Sequence, residues 1–85
     1  MKITFAFIRT ADGTGYIRAH ITDQLGIGVL IVGCYAKDAG VSTYTARLFA
    51  KAGDPSTTVR HITKPTVHGL RNALALEVGK GRWWQ

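Results

Sequence analysis

Hydrophobic and polar side chains alternate along the first part of the chain, which is the pattern of β-strands that bury one face. Two such segments, residues 2–9 and 16–22, flank a turn-forming cluster of Asp and Gly at positions 11–15. Their apolar positions are Ile3, Phe5, Phe7, Ile17, Ala19 and Ile21. We therefore predict a β-hairpin over residues 2–22 with a loop of roughly five residues.

Three further strands are predicted after this hairpin. Residues 29–36 form an unbroken apolar run next to glycines, which favours a buried central strand. Residues 41–50 alternate again, and residues 57–62 form a short last strand. The buried side of the fourth strand carries Tyr44, Ala46 and Leu48. Aspartates occupy all four predicted breaks, where Asp stabilises turns, at Asp12, Asp23, Asp38 and Asp54.

The last third of the chain predicts one amphipathic helix. Thr63 or Thr66 can cap its start, and Pro65 suits a first turn because no N–H group is needed there. Gly79 is expected to end the helix. Apolar residues recur at spacings of three and four, at Val67, Leu70, Leu74 and Val78.

These elements predict a small α+β fold. We expect a four- or five-stranded, mainly antiparallel sheet with one C-terminal α-helix packed on one face. Residues 1–85 are expected to form a single domain, and residues 79–85 a basic and aromatic tail. The 46% content of hydrophobic residues argues against a disordered chain. The length of 85 residues leaves no room for a second domain or a Rossmann fold.

Charge and cysteine content narrow the classes of function. Eleven basic and five acidic residues give a formal net charge of +6, which favours an acidic partner. The single cysteine, Cys34, cannot form an internal disulfide, so an intracellular, cytoplasmic protein is expected. The apolar start is interrupted by Thr4 and ends at Arg9, which predicts neither a signal peptide nor a membrane span.

Most enzymatic chemistries lack the residues they need. Of the five acidic residues, only Glu77 lies outside the predicted turns, so a pair of carboxylates in one cleft is not expected. Cys34 and three histidines have no zinc-ligand spacing, and no glycine motif matches a phosphate loop. We expect no metal, no cofactor and no enzymatic activity.

Two His-x-Thr steps carry the one enzymatic hypothesis. His20-Ile21-Thr22 and His61-Ile62-Thr63 resemble, over these six residues only, the paired signature of two-histidine phosphoesterases. That resemblance implies a small metal-independent nuclease or toxin with one histidine as base and the other as acid. The rings would have to share a face on neighbouring strands, which we do not expect. The alternative is that each pair lies on an ordinary solvated strand face.

Basic residues predict a binding surface. Alternation places Arg18, Arg47 and Arg60 on the outer side of three strands, where arginines beside an aromatic can hold a nucleic-acid backbone. Lys64 precedes the helix start, which favours anions, and Arg71 lies on the side of the helix away from its apolar stripe. The alternative is a solvated face that keeps the protein soluble.

The tail has two interpretations. Arg82, Trp83 and Trp84 could present exposed indoles beside a cation to a partner. Alternatively, the indoles fold back and cover a thin core. The sequence leaves both open.

The leading hypothesis is a non-enzymatic module that binds nucleic acid or a nucleoprotein complex through an arginine-bearing sheet face. The second is an inhibitor or adaptor of the phage or mobile-element type, such as an anti-CRISPR or a polymerase inhibitor, that binds a host protein. The third is the nuclease described above. A homodimer is possible in each case.

Overall fold

The computed structural model describes residues 1–85. A 3-10 turn (Pro55–Thr57) precedes the last strand. The regular elements are β1 (Lys2–Ala11), β2 (Thr14–Asp23), β3 (Gly26–Lys37), β4 (Tyr44–Phe49), β5 (Thr58–Lys64) and α1 (Val67–Gly79). The strands form one five-stranded antiparallel sheet in the order β1-β2-β3-β4-β5, so each pairs with its neighbours in the chain. The predicted α+β fold, with one C-terminal helix packed on the sheet, is confirmed.

The alternation in the sequence determines which face of the sheet meets the helix. Phe5 pairs with Ala19, and Phe7 pairs with Ile17, so the predicted buried sides of β1 and β2 coincide. Across the sheet, Ala46 and Leu48 of β4 continue the same face. The helix packs Leu70 and Leu74 onto it, as its apolar spacing predicts. These residues form one core on what we call the helix side of the sheet.

Both ends of α1 differ slightly from the prediction. Thr66 is the N-cap, and its hydroxyl oxygen accepts a hydrogen bond of 2.9 Å from the backbone N–H of Gly69. Pro65 therefore lies before the cap rather than in the first turn. Gly79 still belongs to the helix, and Gly81, with φ of 128°, adopts the conformation that favours glycine after the C-cap Lys80.

The C-terminal tail folds back over the core on the helix side. Trp84 is 1% exposed, and Trp83 stacks on Phe5 with ring centroids 5.4 Å apart. The indole N–H of Trp83 donates to the carbonyl oxygen of Val32. Beyond it, Gln85 exchanges backbone hydrogen bonds with Ala50 and Ala52. Trp84 therefore covers the core, as one of the two interpretations predicts, and Trp83 does so in part.

Side chains of the aspartates organise the turns, and one of them shortens β4. Asp38 accepts hydrogen bonds from the hydroxyls of Thr43 and Thr45, at 2.7 and 2.9 Å. Its backbone N–H also donates to the carbonyl oxygen of Thr43. This network holds residues 39–43 in a turn, so β4 begins at Tyr44 instead of the predicted position 41. The first hairpin turn is also tighter than predicted, with only Asp12 and Gly13 between the strands.

Two β-bulges change the alternation in the middle of the sheet. One lies between Ile17 and Arg18, where β3 supplies the extra residue Val32. The other lies between Leu48 and Phe49. Phe49 is 1% exposed yet does not belong to the core on the helix side. It faces the opposite side of the sheet, where residues 53–55 lie beside it.

Candidate nucleic-acid interface

The face of the sheet opposite the helix, which we call the open face, is crossed by one continuous row of paired residues. Each member of this central row pairs with the next across neighbouring strands. The row runs Ile8, Tyr16, Cys34, Arg47, His61. It therefore places an aromatic ring, a thiol, a guanidinium and an imidazole at one level of the sheet.

Arg18 and Arg47 are the two arginines of the open face. Arg18 lies two residues from Tyr16 on β2 and pairs with Ile31, whereas Arg47 lies on β4. Two strand spacings separate the strands, which is roughly 10 Å. Neither arginine has a carboxylate partner, because both ion pairs of the protein involve Glu77 on the helix. The open face thus has two guanidinium groups without a carboxylate partner, of which Arg47 is exposed and Arg18 is half-buried with its Nε covered.

A polar cleft of about 460 Å³ lies around Arg47. It is lined by hydroxyls, one thiol and one carboxylate, from Thr10, Thr14, Thr45, Cys34 and Asp38. The hydroxyl oxygens of Thr45 and Thr63 are 2.9 Å apart. The Thr45 hydroxyl already donates its proton to Asp38, so in this second hydrogen bond the Thr63 hydroxyl is the donor. Asp38 is the one carboxylate in the cleft, and it is already bonded to two threonine hydroxyls.

An apolar cleft of about 320 Å³ adjoins the polar one. Its lining residues are Tyr16, Ile31, Gly33, Cys34, Phe49, Gly53 and Pro55. Cys34 lines both clefts, so they meet at the central row. An apolar surface with one aromatic ring, next to a free guanidinium, can receive a flat base and an adjacent phosphate.

The wall of the apolar cleft is held by a local hydrogen-bond cluster around Asp54. The hydroxyl and the backbone N–H of Ser56 donate to one oxygen of Asp54, at 2.6 and 3.0 Å. The hydrogen bond from the Ser56 hydroxyl is the main reason that the pKa of Asp54 lies below its ordinary value, and the backbone bond and the charge of Lys51 add to it. This cluster fixes the turn at Pro55.

The five basic residues predicted to form one surface lie on two sides of the sheet. Arg60 pairs with Leu48 and forms an ion pair with Glu77, so the prediction that it shares the face of Arg18 and Arg47 is wrong. Lys64 pairs with Tyr44 and also lies on the helix side. The guanidinium of Arg71 lies over the ring of Phe7, 5.5 Å from its centroid. Only Arg18 and Arg47 remain together on the open face.

His20 and His61 share the open face but do not approach each other. Their strands, β2 and β5, are separated by β3 and β4, or about 14 Å for three strand spacings. His61 is at the level of Tyr16, a further four residues from His20 along the sheet. The expectation that they occupy different faces is therefore wrong. The two rings nevertheless cannot flank one phosphate, so the geometry gives the acid–base hypothesis no support.

The tail offers less to a partner than its composition indicates. The ring of Trp84 is buried, and the guanidinium of Arg82 lies 5.6 Å from its centroid. Trp83 is half-buried against Phe5. Trp84 thus covers the core, Trp83 does so in part, and Arg82 is exposed, and a partner-binding role of the three residues stays a prediction.

Several residues of the clefts were not singled out by sequence reasoning. Cys34 and Ile31 lie in the apolar run 29–36, which predicts ordinary core positions, and alternation groups Phe49 with Thr45 and Arg47 without marking it as part of a site. The bulge in β3 places Ile31 on the same side as Cys34, and bulges leave no clear trace in the sequence of a strand. Phe49 reaches the open face by plain alternation from Thr45 and Arg47. The sequence predicts Pro55 only as part of a turn.

No known protein family, curated protein or solved structure matches this chain. The one helix has 13 residues and is not long and apolar enough to cross a lipid bilayer.

Proposed function

We propose that the open face binds single-stranded nucleic acid without catalysing a reaction on it. The observation that carries the proposal is the combination of two unpaired arginines, Arg18 and Arg47, with an apolar cleft that contains Tyr16. The guanidinium groups would hold phosphates, and the ring of Tyr16 would stack on a base.

The distribution of charge supports this assignment. None of the five acidic residues occupies a strand position on the open face: Asp12, Asp38 and Asp54 lie at turns, Asp23 ends β2 on the same side as Ile17 and Ala19, and Glu77 lies on the helix. Lys2, Arg18 and Arg47 are the charged residues at strand positions there. A polyanion that approaches this face therefore meets only positive charge, apart from Asp38 at its rim.

Single strands suit the clefts better than a duplex does. In a duplex the bases are stacked on one another, and their faces are inaccessible to a side chain. In a single strand each base can leave the stack and lie against an aromatic ring, at about 1–3 kcal/mol per base. Arg47 lines the polar cleft, which meets the apolar cleft at Cys34, so a base held in the apolar cleft would direct its phosphate towards Arg47.

The test is a titration of a fluorescent, mixed-sequence single-stranded oligonucleotide, followed by anisotropy at several salt concentrations. If two phosphates are neutralised, log K should fall with log salt with a slope of about −1.4. Arg47→Ala should reduce that slope to about −0.7, because one phosphate contact is lost. An inhibitor that binds only a host protein would not shift the oligonucleotide. Absence of binding at low salt, or a slope near zero, would overturn the proposal.

A further inference from the structure

The first half of β3 extends beyond the strand that follows it and has a free edge. β4 pairs with β3 only from Gly33 to Lys37. Just before the part of β3 that pairs with β4, the carbonyl oxygen of Ile31 accepts a hydrogen bond of 2.7 Å from the backbone N–H of Gly53. Residues 26–30 pair with β2 on one side and have no backbone partner on the other. The fold therefore leaves one five-residue edge open in the middle of the sheet.

This edge is apolar and unprotected. Ile27 is 74% exposed, Val29 49%, and Leu25 at the adjacent hairpin turn 98%. No charged residue and no proline occurs between positions 24 and 36. Natural sheet edges are usually protected from pairing with other chains by charges, proline or bulges. The free edge of β3 has none of these protections within residues 26–30.

We propose that this edge pairs with the same edge of a second copy, in an antiparallel arrangement about a two-fold axis at Gly28. The carbonyl group of Ile31 points away from β2, towards the free edge. Alternate residues of a strand direct their backbone groups to the same side, so the N–H and C=O groups of Val29 and Ile27 also point to the free edge. Ile27 of each copy then faces Val29 of the other. The two pairs exchange four backbone hydrogen bonds, and all outward groups of the edge are satisfied.

A second copy fits the edge better than an unrelated strand for two reasons. The first is register. An antiparallel pair centred on Gly28 is self-complementary, and the hydrogen bond at Ile31 limits the new strand pairing to residues 26–30. The second is charge. A protein with a net charge of +6 repels its own copies, and residues 26–30 carry no charged side chain of their own, while Asp23 and Arg82 line the surface beside them. Gly28 has no side chain to separate the strands at the axis.

The dimer would be a ten-stranded sheet. A two-fold axis perpendicular to the sheet keeps both helices on one side and both open faces on the other, so Ile27 and Val29 of the two copies form one apolar cluster. Two five-residue edges cover less area than the roughly 1,200 Å² of a standard interface, so we expect a reversible dimer with micromolar affinity. This proposal does not depend on what the open face binds.

Cross-linking at the axis tests the register. In a non-hydrogen-bonded pair at Gly28 the Cα atoms are about 4.5 Å apart, which is within the range of a disulfide. A Cβ at this position meets no atom within 4 Å in the single chain. The variant Gly28→Cys, in a Cys34→Ala background, should form a disulfide-linked dimer with oxidised glutathione as oxidant. The matched control Leu30→Cys places its thiols roughly 13 Å apart and should not cross-link.

Sedimentation of the protein without nucleic acid tests the dimer itself. The wild-type protein should change from monomer to dimer between about 1 µM and about 500 µM. Val29→Lys, or Ile27→Lys if the first variant folds poorly, should remain monomeric. The control Leu76→Lys, which adds the same charge on an exposed helix position, should dimerise normally. A wild-type monomer at every concentration, assemblies larger than a dimer, or equal cross-linking at positions 28 and 30 would overturn the proposal.

Discussion

The two sides of the sheet use their basic residues differently. On the helix side, Arg60 and Lys80 lie against Glu77, and Arg71 and Arg82 lie over aromatic rings. On the open face, the guanidinium groups of Arg18 and Arg47 have neither kind of partner. The same residue type therefore supports the fold on one side and is free for a ligand on the other.

This difference shows why net charge alone is a poor guide to a binding site. The charge of +6 includes basic residues that are already engaged within the protein. What marks a site is a cation without an internal partner beside a surface that a ligand can cover. The open face meets both conditions at the central row, where Arg47 lines the polar cleft and Tyr16 lines the apolar cleft.

The largest expected effect tests the structural role of the helix side. Leu74 is completely buried, so Leu74→Ala should lower the free energy of unfolding by about 2–5 kcal/mol. Leu76 lies two positions further and is 72% exposed, and Leu76→Ala should change stability by less than about 0.5 kcal/mol. Thermal unfolding followed by circular dichroism measures both. Equal melting temperatures for the two variants would show that the helix does not pack as described.

The next effect concerns the open face and should leave stability largely intact. Tyr16→Ala removes the ring on which a base would stack, and affinity for single-stranded oligonucleotide should fall by about 1–3 kcal/mol, or roughly 5- to 150-fold. Tyr16→Phe keeps the ring and should bind nearly as well as the wild-type protein. Anisotropy titrations compare them. Wild-type affinity in Tyr16→Ala would remove the apolar cleft from the site.

A smaller effect is expected at the rim of the open face. Asp38→Asn removes the one carboxylate of the polar cleft while keeping an oxygen for the threonine hydroxyls. Loss of one half-buried charge at the rim is worth about 1 kcal/mol or less, so affinity should rise up to about fivefold at low salt. Asp23→Asn makes the same charge change at the far hairpin turn and should raise affinity less. Equal increases in the two variants would indicate long-range attraction without a local site.

The smallest effect is a pH dependence in the wall of the apolar cleft. Because the pKa of Asp54 is lowered in the folded state, its stabilising contribution is present above the pKa of the unfolded chain and is lost as the pH falls through the lowered value. Ser56→Ala removes the main hydrogen bond and should raise the pKa of Asp54 towards its ordinary value. Carbon-detected NMR titration of the carboxyl group measures the change. An unchanged pKa would contradict the hydrogen-bond assignment.

Much of the fold was predictable because a strand with one buried face and a helix with one apolar stripe each leave a periodic pattern. Phe5, Ile17 and Leu74 occupy the positions that their spacing predicts. The aspartates also marked the turns correctly, since short acidic side chains bond to nearby backbone or hydroxyl groups, as Asp23 does to the N–H of Leu25.

The site was predictable only in part. Arg18 and Arg47 follow unbroken alternation, and their common face was expected. The last strand carries apolar residues on both sides, Val59 and Ile62, so its alternation does not say which side is buried. Pairing with β4 decides it, and places His61 beside Arg47 and Arg60 towards the helix. Pairing register is a property of two strands and cannot be read from either alone.

Two double variants with the same change in charge test the central claim most directly. Arg18→Ala/Arg47→Ala removes two positive charges from the open face, and Lys64→Ala/Arg71→Ala removes two from the helix side. We predict that the first reduces affinity for single-stranded oligonucleotide about 100-fold at low salt, at about 1.4 kcal/mol for each phosphate contact, and that the second stays within about threefold of the wild-type protein. Equal losses in both variants would contradict the account, because binding would then depend on net charge and not on the open face.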